Sequence, residues 1–477
     1  MNWFKGGLLL ILTGLLILAG CKKKEEQQKV VRHEWIARVD SFDLWASKVN
    51  HAFGYSKEFK KAKSITEDVL KNYIQHYFLE QLYLLAEARA TGLTKDPEFL
   101  KILKKKKIEE MTKPTGPLLN AILPEHFDIP QEKLKILYQR LPYRLTVQQI
   151  LVTSRSLADS IYQALIKGAD WDQMVLKYSN DLSTAKKQGV LSNYLIPGMA
   201  SPAYEDAAYT LWQVGQISHP VKTDFGYHII RLMYREKLKV GSIEEEKERL
   251  EQIAQQSARN QFLNDYIDSL FQKFHLTSNK DLYPDLIHAF ERKGIFGSIN
   301  PQKISSEHMQ MIFVKHDKDS MTLGDFVEAY NARNKYDRYR LERPEDIDIM
   351  IKKLVTAELM YYDGLQRGLG NDPKYRDFVR YHYRHELGKI AQKKLIDEAI
   401  EISDQEVRAY FNKHRKLWKN SKFEEVKPYV RHRLFLEKRK RYRSELLNAL
   451  REKYPVEYNE KVIKEMVQKF NEKKKEA

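Results

Sequence analysis

The chain of 477 residues has one cysteine, Cys21. Without a second thiol there is no internal disulfide and no cysteine set to hold zinc. An excess of negative charge is also missing: 82 Lys and Arg stand against 65 Asp and Glu, a net +17. A long apolar run is lacking too, because the run at residues 6–20 is shorter than the ~20 residues a bilayer core needs. A disordered composition is absent as well. The hydrophobic fraction is 42%, with 28 Tyr and 20 Phe, enough apolar material to offset the entropy of ordering the chain. The length exceeds one ordinary core, so several domains of ~100 to 200 residues are expected.

The short run carries an address. Lys5 precedes it and Leu18-Ala19-Gly20-Cys21 ends it, which reads as a signal peptide (1–20) with a lipobox. Similarity to bacterial lipoproteins implies cleavage before Cys21, lipidation of its thiol, and a polar tether over 21–32. No thiol then remains for catalysis. The implied location is the extracytoplasmic side of a membrane, and Lys22 is compatible with the outer membrane of a double-membrane cell. Export removes nucleic acid as a partner, so the positive balance points to acidic membrane surface or acidic clients. The basic runs at 104–107 and 438–443 lie in helical stretches and read as solvated faces.

Residues 35–39 look strand-like. Leu70, Ile74, Tyr77, Phe78, Leu82 and Leu85 then recur at helical spacing, which predicts one buried face. The second half repeats this plan. Gly92-Leu93, Asp96-Pro97 and Phe99 match Gly368-Leu369, Asp372-Pro373 and Tyr375, 276 residues on. Ile129, Leu134 and Tyr138 match Ile402, Val407 and Phe411 at 273. Ile243-Glu244-Glu245 and Asn279 match Phe423-Glu424-Glu425 and Asn459 at 180. The step from 273 to 180 is 93 residues, which predicts a domain inserted in the first repeat only. The expected fold class is a mainly α duplicated frame with one inserted α/β domain. Its parts are repeat 1 at 33–143, the insert at 144–237, a closing helix at 238–285, repeat 2 at 286–463 and a basic tail at 464–477.

Within the insert the period changes: strands at 147–152 and 227–232, helices at 157–166, 171–178 and 202–211. Its segments Ile150-Leu151-Val152, Gly168-Ala169-Asp170-Trp171, Tyr178-Ser179-Asn180-Asp181, Tyr204-Glu205-Asp206-Ala207-Ala208-Tyr209 and Gly226-Tyr227-His228-Ile229-Ile230 resemble parvulin-type peptidyl-prolyl isomerases. Helical segments on both sides make the whole similar to extracytoplasmic foldases of the SurA, PpiD and PrsA type. The resemblance implies a proline pocket at Leu191, Ala200 and Tyr204, with Phe225 also on the substrate side. It implies a polar site of Asp181, Gln149, His228 and Thr223. Gln149 stands where the family usually has histidine, and Ala200 where it often has methionine, so weak isomerase activity is expected. The reaction rotates an X-Pro amide and needs no nucleophile, metal or cofactor.

The implied role is a lipid-anchored chaperone that binds unfolded or proline-containing exported polypeptides. Two alternatives stay open: a fully active isomerase whose main task is catalysis, and a non-enzymatic envelope scaffold.

Overall fold

The structure is a computed structural model, and it describes residues 34–56, 59, 62–418 and 421–476. Cys21, the signal peptide and the whole of the tether lie outside the described residues. Among those described, no helix is long and apolar enough to cross a membrane. The fold is mainly helical and, over the described residues, has two compact units, 108–375 and a second made of 34–107 with 376–476.

In the second unit a hairpin, Trp35–Val39 and Phe42–Trp45, forms a three-stranded sheet with Val456–Tyr458, Ala37 facing Tyr458. Ile36, Leu70, Leu85, Leu387, Leu447 and Ile463 fill the core around it. The first unit holds the same arrangement. Its hairpin, Ile312–His316 and Asp319–Thr322, takes Thr277–Ser278 as third strand, with Val314 facing Ser278. Even the cap recurs: Asn279 N–H donates to Phe313 O at 2.8 Å, and Asn459 N–H to Ile36 O at 3.0 Å.

The strand partners differ from expectation. Repeat 1 was expected to end with a closing helix at 238–285, yet the early hairpin is completed by the last strand, Val456–Tyr458. The later hairpin is completed by the strand that follows the first closing helix. The two hairpins present equivalent edges, so local pattern leaves the choice of partner open.

Other expectations meet the structure element by element. The matched glycines Gly92 and Gly368 both take φ of 79° and open a 3₁₀ turn. Asp96 and Asp372 then accept from the N–H of Phe99 and Tyr375, capping helices that start at Pro97 and Pro373. Helix Lys247–Lys273 packs on Gln131–Arg140 through Leu134, Leu137, Leu250 and Ala254. Phe423–Lys453 packs on Asp404–Lys413 through Val407, Phe411, Val430 and Leu434. The segment expected to bury one helical face over 70–85 forms two helices, Glu67–Tyr77 and Leu79–Ala90, broken at Phe78. Tyr77 is thereby left 57% exposed. Nor is 464–477 a free tail: helix Glu460–Glu476 buries Val462, Ile463 and Met466. Its apolar positions fall on one face between lysines, a pattern that total charge hides.

Candidate functional site

The inserted segment folds around one antiparallel pair, Tyr143–Val152 and Gly226–Lys237, edged by Val221–Thr223. Helices Arg155–Ile166 and Trp171–Tyr178 bury Ile161, Trp171 and Val175 against Ile150 and Ile229. Leu151 faces His228 and Gln149 faces Ile230 in the pairing, so Gln149 and His228 are diagonal neighbours on one sheet face. Two glycines permit the close approaches beside them. Gly189, at φ 82°, would put a Cβ 2.4 Å from Gln149 O, and Gly226, at φ 127°, one 2.3 Å from Val152 O.

A continuous hydrogen-bonded relay results. Gln149 Nε2 donates to Asp181 Oδ2 at 2.6 Å, and Gln149 Oε1 lies 3.0 Å from His228 Nδ1. On the far side of the ring, His228 Nε2 is 2.8 Å from Thr223 Oγ1. Burial pushes the His228 imidazole down to about 4, against the opposing pull of Asp181. The ring is therefore neutral at pH 7. The carbonyl of Gln149 selects the Nδ1–H tautomer, which leaves Nε2 to accept from Thr223. Asp181 caps helix Leu182–Ala185, accepting from the N–H groups of Ser183 and Thr184 and from both hydroxyls. Where a second histidine was the expected pattern, the glutamine closes the network with its two opposite polar ends.

The apolar side adjoins the relay. Leu191 and Ala200 pack against the cluster of Leu145, Tyr204 and Ile230. The Tyr204 ring stands edge-on to His228 with centroids 5.1 Å apart, and its buried hydroxyl has no hydrogen-bond partner among the described residues. Glu205 accepts from Ala200 N–H at 3.0 Å, and burial pushes its carboxyl up to about 7. Phe225 lines a different cavity, whose walls do not include Leu191, Ala200 or Tyr204. Thr153, Thr223, Ile267, Phe271 and Lys352 line it with Phe225, and its volume is about 410 Å³.

Sequence reasoning missed a second layer supplied by residues 333–353. Tyr339, 4% exposed, donates its hydroxyl to Phe225 O at 3.1 Å, and Lys353 lies 3.8 Å over its ring. Burial, with the charge of Arg333, holds the Lys353 ammonium down to about 7. Arg340 N–H donates to Asn180 Oδ1. Its buried guanidinium donates to Leu176 O and Lys177 O, and the Arg292 guanidinium donates to the same two carbonyls, so two arginines cap the end of helix Trp171–Tyr178. Asp346, 1% exposed, accepts from Thr153 Oγ1 at 2.7 Å, Asn180 Nδ2 at 2.8 Å and Glu342 N–H at 3.2 Å. The only sequence signal is the alternation of aromatic and charged residues in Tyr336-Asp337-Arg338-Tyr339-Arg340, which by itself reads as an exposed loop.

Comparison with known proteins agrees with this geometry. Residues 147–234 match the family model described as Rotamase, the PPIC-type PPIASE domain. The segment is thus a parvulin-type domain of the peptidyl-prolyl cis-trans isomerase class. The chain that carries it is similar to PrsA foldases. It is 27% identical over 291 residues to Foldase protein PrsA of Caldanaerobacter subterraneus subsp. tengcongensis, covering 55% of this chain and 92% of that one. It is 44% identical over 107 residues to Foldase protein PrsA 4 of Bacillus cereus, which is 22% of this chain and 37% of that protein. The chain thus spans well under two thirds of the Bacillus cereus relative. Among solved structures, the parvulin of Nitrosopumilus maritimus aligns at 38% identity over 19% of this chain and 96% of its own, with a TM-score of 0.18.

Proposed function

We propose that the chain is a lipid-anchored, extracytoplasmic foldase that holds unfolded exported polypeptides and carries a prolyl isomerase domain of weak activity. The supporting observation is the relay of Asp181, Gln149, His228 and Thr223 set beside the pocket of Leu191, Ala200 and Tyr204. Rotation of an X-Pro amide passes a barrier of ~18 to 20 kcal/mol because the planar amide is stabilised by resonance. A dry pocket that holds the proline ring, with polar groups beside the amide, favours the twisted, less charge-separated form. Asp181 is the group we place beside the amide. His228 and Thr223 set its geometry through Gln149, and the neutral ring moves no proton. Gln149 cannot titrate, and the small Ala200 leaves the ring loosely held, which supports a low rate.

The remaining proposals concern the frame. We place the lipid on Cys21 and the protein on the periplasmic face of an envelope, on the strength of the lipobox. The frame is a duplication with exchanged strands, supported by the matching caps and helix pairs of the two units. Client holding belongs to this frame. The closed Gln149 bridge favours a second reading, in which catalysis is the main task. A proline-peptide isomerisation assay run beside aggregation assays on several unrelated unfolded clients separates the two. A rate near the uncatalysed one with broad suppression supports the chaperone, and rapid turnover supports the isomerase. Failure to suppress aggregation, with binding to a single folded partner, would leave only a scaffold.

A further inference from the structure

The second unit contains a pocket that none of the foldase chemistry above uses. Its volume is about 540 Å³. Leu44, Trp45, Phe78, Leu82 and Tyr381 supply apolar and aromatic walls. Lys48, Arg380, Arg384 and His385 stand on its lining, against two acids, Asp43 and Asp377. Both acids are already engaged: Arg38 Nε donates to Asp43 at 2.6 Å, and Arg380 lies 3.6 Å from Asp377. Arg384 lies 5.8 Å over the Phe42 ring. Among the described residues, neither Lys48 nor Arg384 has an acidic side chain within ion-pair distance. Each is held below its ordinary pKa by burial first; Lys48 then feels the cation Arg384, while Arg384 feels Asp43, which opposes the shift, and the cation Arg380, which adds to it.

Asp43 and Asp377 pair with Arg38 and Arg380, so the half-buried Arg384 and Lys48 at the exposed rim are cations in excess of the pocket's acids, beside apolar walls, and the pocket can take one more carboxylate. We infer that this pocket binds an acidic side chain next to an aromatic or aliphatic one in an unfolded polypeptide. The apolar neighbour would pack between Trp45, Phe78 and Leu82 while Arg384 and Lys48 take the carboxylate. Charge complementarity selects this occupant, since a basic segment would add to the like-charge repulsion already present. The inference rests on the chaperone reading and gives it a sequence preference.

The test is fluorescence anisotropy with the full chain and fluorescein-labelled, end-capped peptides of otherwise neutral sequence carrying Leu-Phe-Glu, Leu-Phe-Gln or Leu-Phe-Lys. The Glu peptide should bind about five- to tenfold more tightly than the Gln peptide at low salt, the range for charged hydrogen bonds partly shielded from water. The difference should shrink with added salt. Lys48→Gln with Arg384→Gln should erase the preference while leaving the Gln peptide's affinity unchanged. The charge-preserving pair Lys48→Arg with Arg384→Lys should keep it, which separates charge from folding. Equal affinity for Glu and Gln peptides, or a preference that survives the double Gln variant, would overturn the inference. So would tight binding seen only with a free C-terminal carboxylate. Aggregation suppression measured on the same samples isolates the failure. If it persists without the Glu preference, only this inference is lost; if it is absent together with all peptide binding, the chaperone reading falls.

Discussion

Replacing Asp346 by alanine removes the acceptor that joins Thr153, Asn180 and Glu342. Thr153 and Asn180 are 7% and 5% exposed, so water cannot readily replace it, and each orphaned donor costs about 1 to 3 kcal/mol. The buried carboxylate has an opposing cost. Burial outweighs its hydrogen bonds and pushes its pKa from 3.8 up to about 6. A folded pKa above the unfolded one means the ionised form is disfavoured in the folded state. The associated stability is therefore fully present below pH 3.8 and is lost as pH rises through 6, to a total of about 3 kcal/mol. Asp346→Ala should thus destabilise by about 1 to 3 kcal/mol at pH 7 and by roughly 1 kcal/mol more at pH 5, where somewhat less than half of the wild-type penalty is lifted. Urea unfolding at the two pH values measures both. Asp346→Asn keeps an oxygen for Thr153 and Asn180 and should be the milder change, with this pH term abolished. An alanine variant with the same loss at both pH values, or with a loss below about 0.5 kcal/mol, would refute the reasoning.

Three further outcomes follow from the site. Glu205, raised from 4.5 to about 7 by burial, should make stability fall as pH climbs from 4.5 to 7. Glu205→Gln should match wild type near pH 4 and exceed it by up to about 3 kcal/mol at pH 8 in thermal or chemical melts. Gln149→Leu should strand the His228 N–H and free one side of Asp181, costing about 2 kcal/mol in stability and most of the isomerase rate in a proline-peptide assay. Arg340→Leu should leave the helix ending at Tyr178 with Arg292 as its one remaining guanidinium cap and cost about 1 to 2 kcal/mol. Hydrogen exchange should then speed up first in that helix and in Asn180-Asp181.

The insert was legible because its chemistry is local. Each polar site residue lies in a short stretch whose strand or turn is set by neighbours a few places away, such as Gly226 before His228 and Gly189 beside Gln149. The matching turns at Gly92 and Gly368 were legible for the same reason, since each glycine opens the same local cap. The strand exchange was not, because Val456–Tyr458 and Thr277–Ser278 are short and interchangeable, and hydrophobic pattern does not say which hairpin each joins. The layer of Tyr339, Arg340 and Asp346 was hidden by its own polarity. Charged residues read as surface until tertiary structure supplies the partners that let them be buried. That layer also argues against deleting 146–232 to find the holding site, because deletion would strip Arg340 and Asp346 of their partners and disturb the frame itself.

A point substitution avoids that problem. Asp181→Ala, assayed well below its own melting temperature so that both proteins are fully folded, should be compared with wild type in proline-peptide isomerisation and in suppression of aggregation of several unrelated unfolded proteins. If the frame holds clients and the insert only assists, the isomerase rate drops to the uncatalysed level while suppression is retained in full. If suppression falls in step with the isomerase rate, client holding belongs to the parvulin-type site and the chaperone frame does not have the role proposed for it.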